Sequence, residues 1–288
     1  MILVILVESM SNTLVVTTYD EERYFLEIQV RSVAKYLSPC KLIYIYCDSS
    51  NNYTEWLDWF ETHLKLLIPY HNVITYNSSH FYDTSKVSGG NQWYSLACML
   101  KIYASRVVSD KDYWDLDSKY FFFKPCTLED FKEVYPYDMS GSEWMPAIEF
   151  HQNKFSIDTT VFKPNIHPYK FNTKICKELS TMLDESNFWG GEHFDDVFSY
   201  QSYCISKGYE LTPGECNDNN SLVTADLGKH YNLNQMLSTM KSRDNDIKVT
   251  GIHKRVCMAQ LNKTTFDALV LAVGGRELIP QSTDWLFD

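Results

Sequence analysis

Residues Tyr113–Pro125 read YWDLDSKYFFFKP. An apolar, aromatic approach ends in two acids, Asp115 and Asp117. A second apolar run, Tyr120–Phe123, then leads to Lys124-Pro125. Side chains alternate along a strand, so Asp115 and Asp117 share one face, their backbones about 7 Å apart. Two carboxylates together at a strand end are costly unless something positive sits between them. A divalent cation carrying phosphate ligands would meet that need and would neutralise a leaving phosphate. The plainer alternative is that one acid caps the turn and the other is solvated. The strand–acid–strand setting favours the first.

Outward from this stretch, the preceding chain alternates strand and helix. Thr13–Thr18 (TLVVTT) is a short β-branched run that predicts a buried strand. Asp20–Leu37 follows with Phe25, Ile28, Val33 and Leu37 near helical spacing, and Asp20, Glu21 and Glu22 suit a helix start. Lys41–Cys47 predicts a second strand, Tyr53–Leu67 a helix, Asn72–Tyr76 a third strand and Asn91–Val108 a long helix. This βαβα order implies an α/β fold, three layers deep, built on a mixed, mainly parallel sheet. Functional loops of such sheets lie beyond the carboxyl ends of the strands, which singles out the residues after Thr18, Cys47, Asp117 and Ile252. The second half is less regular. Thr159–Phe162 and Lys248–His253 read as strands, and Thr173–Leu183, Asp195–Ile205, Leu233–Lys241 and Lys263–Val273 as helices. No linker divides the chain, so residues 1–288 are expected to form one domain.

Composition narrows the classes. The chain has 288 residues, 44% apolar and 22% charged, with 15% aromatic. A disordered chain is poor in aromatics, so disorder is excluded as the general state. The net charge of −11 argues against binding duplex nucleic acid across the whole surface. There is also no basic cluster of the kind that docks on anionic membrane. The eight cysteines are scattered, without zinc spacing, which predicts a reducing, cytoplasmic compartment. Met1–Val7 is apolar but lacks a basic flank and a cleavage site, and is too short to span a bilayer. Met10 is an alternative start. Dinucleotide, P-loop, α/β-hydrolase and HExxH motifs are all missing.

Leu116-Asp117-Ser118-Lys119 followed by Tyr120–Pro125 resembles the Asp-x-Asp region of GT-A-fold nucleotide-sugar glycosyltransferases. More narrowly it resembles a poorly characterised bacterial and phage GT-A-like family with a Leu-Asp-(Ser/Ala)-(Asp/Lys) motif, an apolar run and Pro. The likeness runs from about Thr13 to Leu271, strongest at Leu116–Pro125 and next at Gly251–Arg255. It implies a glycosyltransferase, a hexosyl- or pentosyltransferase, with a nucleotide-diphosphate sugar as donor and an acceptor hydroxyl. It also implies Mn²⁺ or Mg²⁺, and a cytoplasmic place in a bacterium or infected host cell. On this likeness about 13–125 is the nucleotide-sugar-binding half and about 126–288 the acceptor-binding half. The acceptor would be a polysaccharide, another glycan or a phage hydroxymethylated DNA base, and no membrane insertion is implied.

The resemblance carries over residue by residue. Thr17, Thr18 and Tyr19 match the first nucleotide-binding turn, although composition alone equally suits a capping turn. Gln29–Val33 matches a Gln-x-x-Ser helix. Asp48 stands where it could bond base or ribose, and equally as a plain loop residue. Lys101 belongs to a Trp…Leu-Lys helix and either faces the donor phosphates or lies on the helix surface; the paired Gln of that helix is here Ala97-Cys98. Lys119 replaces the motif's second acid. Either it neutralises the diphosphate with Asp117 and Ser118 beside it, or it turns outward and Asp115 with Asp117 form the metal pair. Gly251-Ile252-His253-Lys254-Arg255 resembles the family's C-terminal Gly-x-His-x-Arg, with His253 completing the metal site and Lys254 and Arg255 holding the diphosphate. For the base that takes the acceptor proton, Asp196 comes first, then Asp195 and Glu192; an acid at a helix start also has a purely structural reading. Trp144, Trp189 and Tyr200 are expected to offer faces for stacking. A catalytically silent nucleotide-sugar-binding or scaffold protein of the same fold is the alternative. A nucleotidyltransferase is remoter, because no glycine follows the first strand.

Overall fold

The computed structural model describes residues 12–87, 90–186, 193–211, 213–215 and 248–251, with 267, 271, 275 and 276. Five strands make the central sheet: β1 (Thr13–Thr18), β2 (Lys41–Tyr46), β3 (Asn72–Asn77), β4 (Asp112–Asp117) and β8 (Tyr169–Asn172). Their spatial order is β3-β2-β1-β4-β8. The first four run parallel, and β8 runs antiparallel to β4. The fold is therefore α/β on a mixed, mainly parallel sheet, as the alternation of the first half predicts.

Strand alternation sorts the core into two layers. Leu14 and Val16 of β1, Leu42, Tyr44 and Tyr46 of β2, and Trp114 and Leu116 of β4 face one side. There they meet Leu26, Val30 and Val33 of α1 (Arg23–Tyr36) and Trp56 of α2 (Tyr53–Trp59). Val15, Ile43, Ile45 and Tyr113 face the other side, against α3 (Gly90–Tyr103), α5 (Thr173–Ser186) and α6 (Asp196–Ser206). Each such buried apolar side chain contributes about 1.5–3 kcal/mol, so both faces are strongly held. Asp115 and Asp117 have the parity of Tyr113 and therefore lie on the α3 side.

The helices differ in detail from the periodic reading. Asp20–Glu22 forms a 3-10 turn before α1. The helix expected over Tyr53–Leu67 is α2, then one turn of wider π helix, Phe60–Leu64, then a 3-10 turn, Lys65–Leu67. Phe60 and Leu64 stay buried, and Trp56 stacks between Tyr46 at 4.8 Å and Phe60 at 5.1 Å. α3 ends at Tyr103 and gives way to a 3-10 turn, Ala104–Arg106.

Among the elements of the second half that the sequence did not signal are α4 (Met145–Phe155) and β8. The strand expected at Thr159–Phe162 is reduced to β7 (Val161–Phe162), paired with β6 (Tyr137–Asp138). Within Lys248–His253, β9 (Val249–Gly251) pairs antiparallel with β5 (Tyr120–Phe122). The expected helix Leu233–Lys241 and nearly all of Lys263–Val273 lie outside the described residues. Six cysteines, Cys40, Cys47, Cys98, Cys126, Cys176 and Cys204, are buried free thiols. No helix among the described residues is long and apolar enough to cross a membrane.

Candidate functional site

β1 and β4 are adjacent and parallel, with Thr17 opposite Asp117. Their carboxyl ends open into a pocket of about 200 Å³. Thr17 and Tyr19 line it from the end of β1, Asp117 and Lys119 from the β4–β5 turn. Tyr94, Cys98 and Lys101 line it from one face of α3, at the three- and four-residue spacing that brings helical side chains together. Asn165 and His167 arrive from the segment before β8, and Asp196 from the start of α6.

His167 was not singled out by the sequence. The expected site residues follow strand ends, and His167 precedes a strand. β8 runs antiparallel to β4 with Tyr169 opposite Asp115. Two residues further back along β8 means two residues further on along β4, so His167 falls level with Asp117. The available signal was the alternation of Tyr169–Asn172 (YKFN), with Tyr169 and Phe171 buried and Lys170 and Asn172 half-buried. Four residues are too few to stand out from irregular chain.

Lys101 is the centre of the charge cluster. Its ammonium lies 2.8 Å from Asp117 Oδ1, 3.3 Å from Asp115 Oδ2, 3.4 Å from His167 Nε2 and 3.6 Å from Asp196 Oδ2. Lys119 takes the other oxygen of Asp117 at 3.0 Å, so it faces the pair of acids. Burial opposes ionisation of Asp117, but Lys101, Lys119 and His167 outweigh it and hold this carboxyl well below the usual range. Burial likewise opposes the charge on Lys101, and Asp115, Asp117 and Asp196 outweigh it, keeping the ammonium protonated well above its ordinary value. His167 is raised: burial and Lys101 press it down, and Asp117 and Asp115 press it up harder.

Asp115 is fully buried, and among the described residues neither of its oxygens accepts an aligned hydrogen bond. Its partners are ionic: Lys101, and His167 Nδ1 at 3.1 Å. Asp115, Asp117 and His167 each offer one ligand atom, and these atoms lie within 4.8 Å of one another. Two carboxylates and an imidazole at that spacing suit a divalent cation by donor type.

Asp195 and Asp196 have separate tasks. Asp195 is the N-cap of α6: Oδ1 accepts from the Phe198 amide at 3.0 Å and Oδ2 from the Asn165 side-chain amide at 2.6 Å. Its own amide donates to His151 Nε2 at 3.1 Å. Asp196, the first helical residue, is buried and faces the pocket. Burial is the largest cause that pushes its carboxyl up to about 7; Asp195 and Asp115 add to the rise, and Lys101 and His167 oppose it.

Glu22, another buried acid, also lines the pocket. Glu22 accepts from the Ser118 hydroxyl and from Tyr19, and burial raises its carboxyl against the pull of Lys119 and Ser118. Ser118 is thereby turned into the protein. Gln29 of α1 donates from Nε2 to the carbonyls of both Asp117 at 2.8 Å and Tyr120 at 2.9 Å, pinning the two ends of the β4–β5 turn.

The remaining candidates fall elsewhere. Thr18 is buried outside the pocket lining. Asp48 accepts from the Asn52 amide at 2.9 Å and the Asn77 side-chain amide at 3.2 Å, ordering its own loop. Tyr200 is no stacking platform: it packs in the core against Tyr169 and Phe171, and its hydroxyl accepts from the Asn172 amide at 3.3 Å. Trp144 packs on Phe198. Trp189, Glu192, His253, Lys254 and Arg255 lie outside the described residues.

No protein-family model matches the chain. No curated protein matches it either. Among solved structures the chain is similar to the apo form of mouse xyloside xylosyltransferase 1, with 9% identity and a TM-score of 0.46 over 84% of this chain and 97% of that one.

Proposed function

We propose that the chain transfers a sugar from a nucleotide-diphosphate sugar to an acceptor hydroxyl. The observation that carries this reading is the grouping of Asp115, Asp117 and His167 with two lysines, Lys101 and Lys119, at the carboxyl ends of β1 and β4. Departure of a diphosphate from an anomeric carbon builds negative charge, and fixed cations in a site shielded from water stabilise it. Lys119, half-buried at the rim, meets the diphosphate first. Mn²⁺ or Mg²⁺ held by Asp115, Asp117 and His167 would supply further neutralisation of that charge.

The nucleotide lies against Thr17 and Tyr19, in the half built from about 13–125. The acceptor approaches from the side of Asn165 and Asp196, in the half built from about 126–288. Asp196 takes the acceptor proton. A carboxyl near 7 is half ionised at neutral pH and is a far stronger base than an ordinary aspartate. Asp195 positions it by capping α6.

The test is a thermal-shift panel of nucleotides and nucleotide sugars, each with and without Mn²⁺, followed by transfer assays with the donor that binds. A ligand of the native state raises the melting temperature by mass action. One nucleotide diphosphate and its sugar should shift the wild type. Asp117→Asn should fold and lose both the shift and turnover. Full turnover in that variant would sink the assignment.

A further inference from the structure

The ammonium of Lys101 and a divalent ion would draw on the same three side chains. Lys101 Nζ lies within 3.4 Å of Asp115 Oδ2, Asp117 Oδ1 and His167 Nε2, and among the described residues these three are a group whose ligand atoms gather closely enough to hold a metal. Lys101 is 6% exposed and Asp115 is fully buried, so solvent screens neither. Two cations on one set of buried oxygens repel strongly at such separations. The lysine is also held there by a third acid, Asp196, on the opposite wall.

We propose that Lys101 is a tethered cation that occupies the metal position, so that a divalent ion binds only when the ammonium leaves the Asp115–Asp117 pair. The arrangement keeps the buried acids neutralised with no ion bound. It also sets the metal affinity of the site, because every binding event must first break the contacts of Lys101. The proposal deepens the sugar-transfer reading and rests on it for the cation's role in catalysis, but the competition is a property of the apo protein and needs no donor to be measured.

The experiment is a Mn²⁺ titration of chelator-stripped protein without nucleotide, with free ion read by electron paramagnetic resonance and fold by circular dichroism. Wild type, Lys101→Met, Lys101→Gln and Lys101→Arg are compared. The wild type should bind Mn²⁺ only at millimolar concentrations. The two neutral variants should bind about tenfold tighter or more, and Lys101→Arg, which keeps the charge, should gain nothing. Micromolar binding by the wild type overturns the proposal, whatever the variants do. So does a folded neutral variant that binds no tighter than wild type. If both neutral variants fail to fold, the wild type decides: micromolar binding overturns the proposal and millimolar binding sustains it. Loss of the sugar-transfer reading would show instead as the absence of any nucleotide shift, in a separate assay.

Discussion

His167 reaches Asp115 with Nδ1 3.1 Å from Oδ2, and it does so from the strand that runs against β4. The pair joins the two halves of the chain at the floor of the pocket. The imidazole also meets the ring of Tyr120, centroids 5.5 Å apart and planes 54° apart.

Replacing that imidazole should therefore hurt chemistry more than folding. His167→Gln is expected to lower kcat by at least about 10–100-fold, the range for outer-shell partners of a metal ligand, because here a ligand itself is replaced. Lys101 still neutralises Asp115 in this variant. Steady-state kinetics beside a melting curve checks it; unchanged kcat would remove His167 from the reacting centre.

Asp196 predicts a pH profile and a stability trade. As the base it works only when ionised, so kcat/KM should rise with pH through about 7 and then level off. Asp196→Asn should lose about 10²–10⁴-fold and abolish that rise. The same residue weakens the fold. Its carboxyl is raised from an ordinary 3.8 to about 7, so the folded state keeps a proton that the unfolded chain has lost. The stability it lends is present at low pH and declines as pH climbs from about 4 to 7. Asp196→Asn should then melt higher than wild type at pH 8, by an advantage that grows across that window and is flat above it. Equal melting temperatures at pH 8 would contradict the buried, ionised carboxylate.

Lys119 should act on donor affinity with little effect on stability. Its pairing with Asp117 is partly exposed, 23% on the lysine side, and such pairs contribute less than about 1 kcal/mol. Lys119→Gln should weaken nucleoside-diphosphate binding by about tenfold in calorimetry, with a melting temperature close to wild type. Unaltered affinity would place the diphosphate elsewhere.

Gln29 makes the opposite prediction. Gln29→Leu removes the donor shared by the Asp117 and Tyr120 carbonyls. A buried acceptor left without its partner costs about 1–3 kcal/mol. Urea denaturation should report that loss, and turnover should fall with it because the turn bearing Asp117 and Lys119 loses its brace. Wild-type stability would mean that the carbonyls find other donors.

Much of this architecture is legible in the sequence, for identifiable reasons. β1 and β2 are buried along nearly their whole length and carry almost unbroken apolar or β-branched runs, so Thr13–Thr18 and Lys41–Tyr46 stand out, while β4 stands out by its apolar residues alternating with acids ahead of a second apolar run. The shared face of Asp115 and Asp117 follows from alternation alone. Lys101 is read from the sequence as a lysine of a Trp…Leu-Lys helix, either facing the donor phosphates or lying on the helix surface. That it is buried depends on acids from β4 and α6 converging on it, which no local pattern encodes. His167 and β8 escaped because the strand is short and reversed. Tyr200 is read from the sequence as a face for stacking, yet α6 is buried from Asp196 to Cys204, apolar and polar residues alike, which hides the amphipathic signal.

The ribbon of β5 and β9 carries a consequence for biosynthesis. Tyr120, a wall of the pocket, is paired with Gly251, and Phe122 with Val249. A growing chain folds as it emerges, amino-terminal parts first. The residues of β5 therefore leave the ribosome long before the strand that pairs with them. The wall formed by Tyr120, braced early by Gln29, gains its strand partner only after Gly251 has been released, so a nascent or prematurely terminated chain carries its acids and lysines beside an unfinished rim.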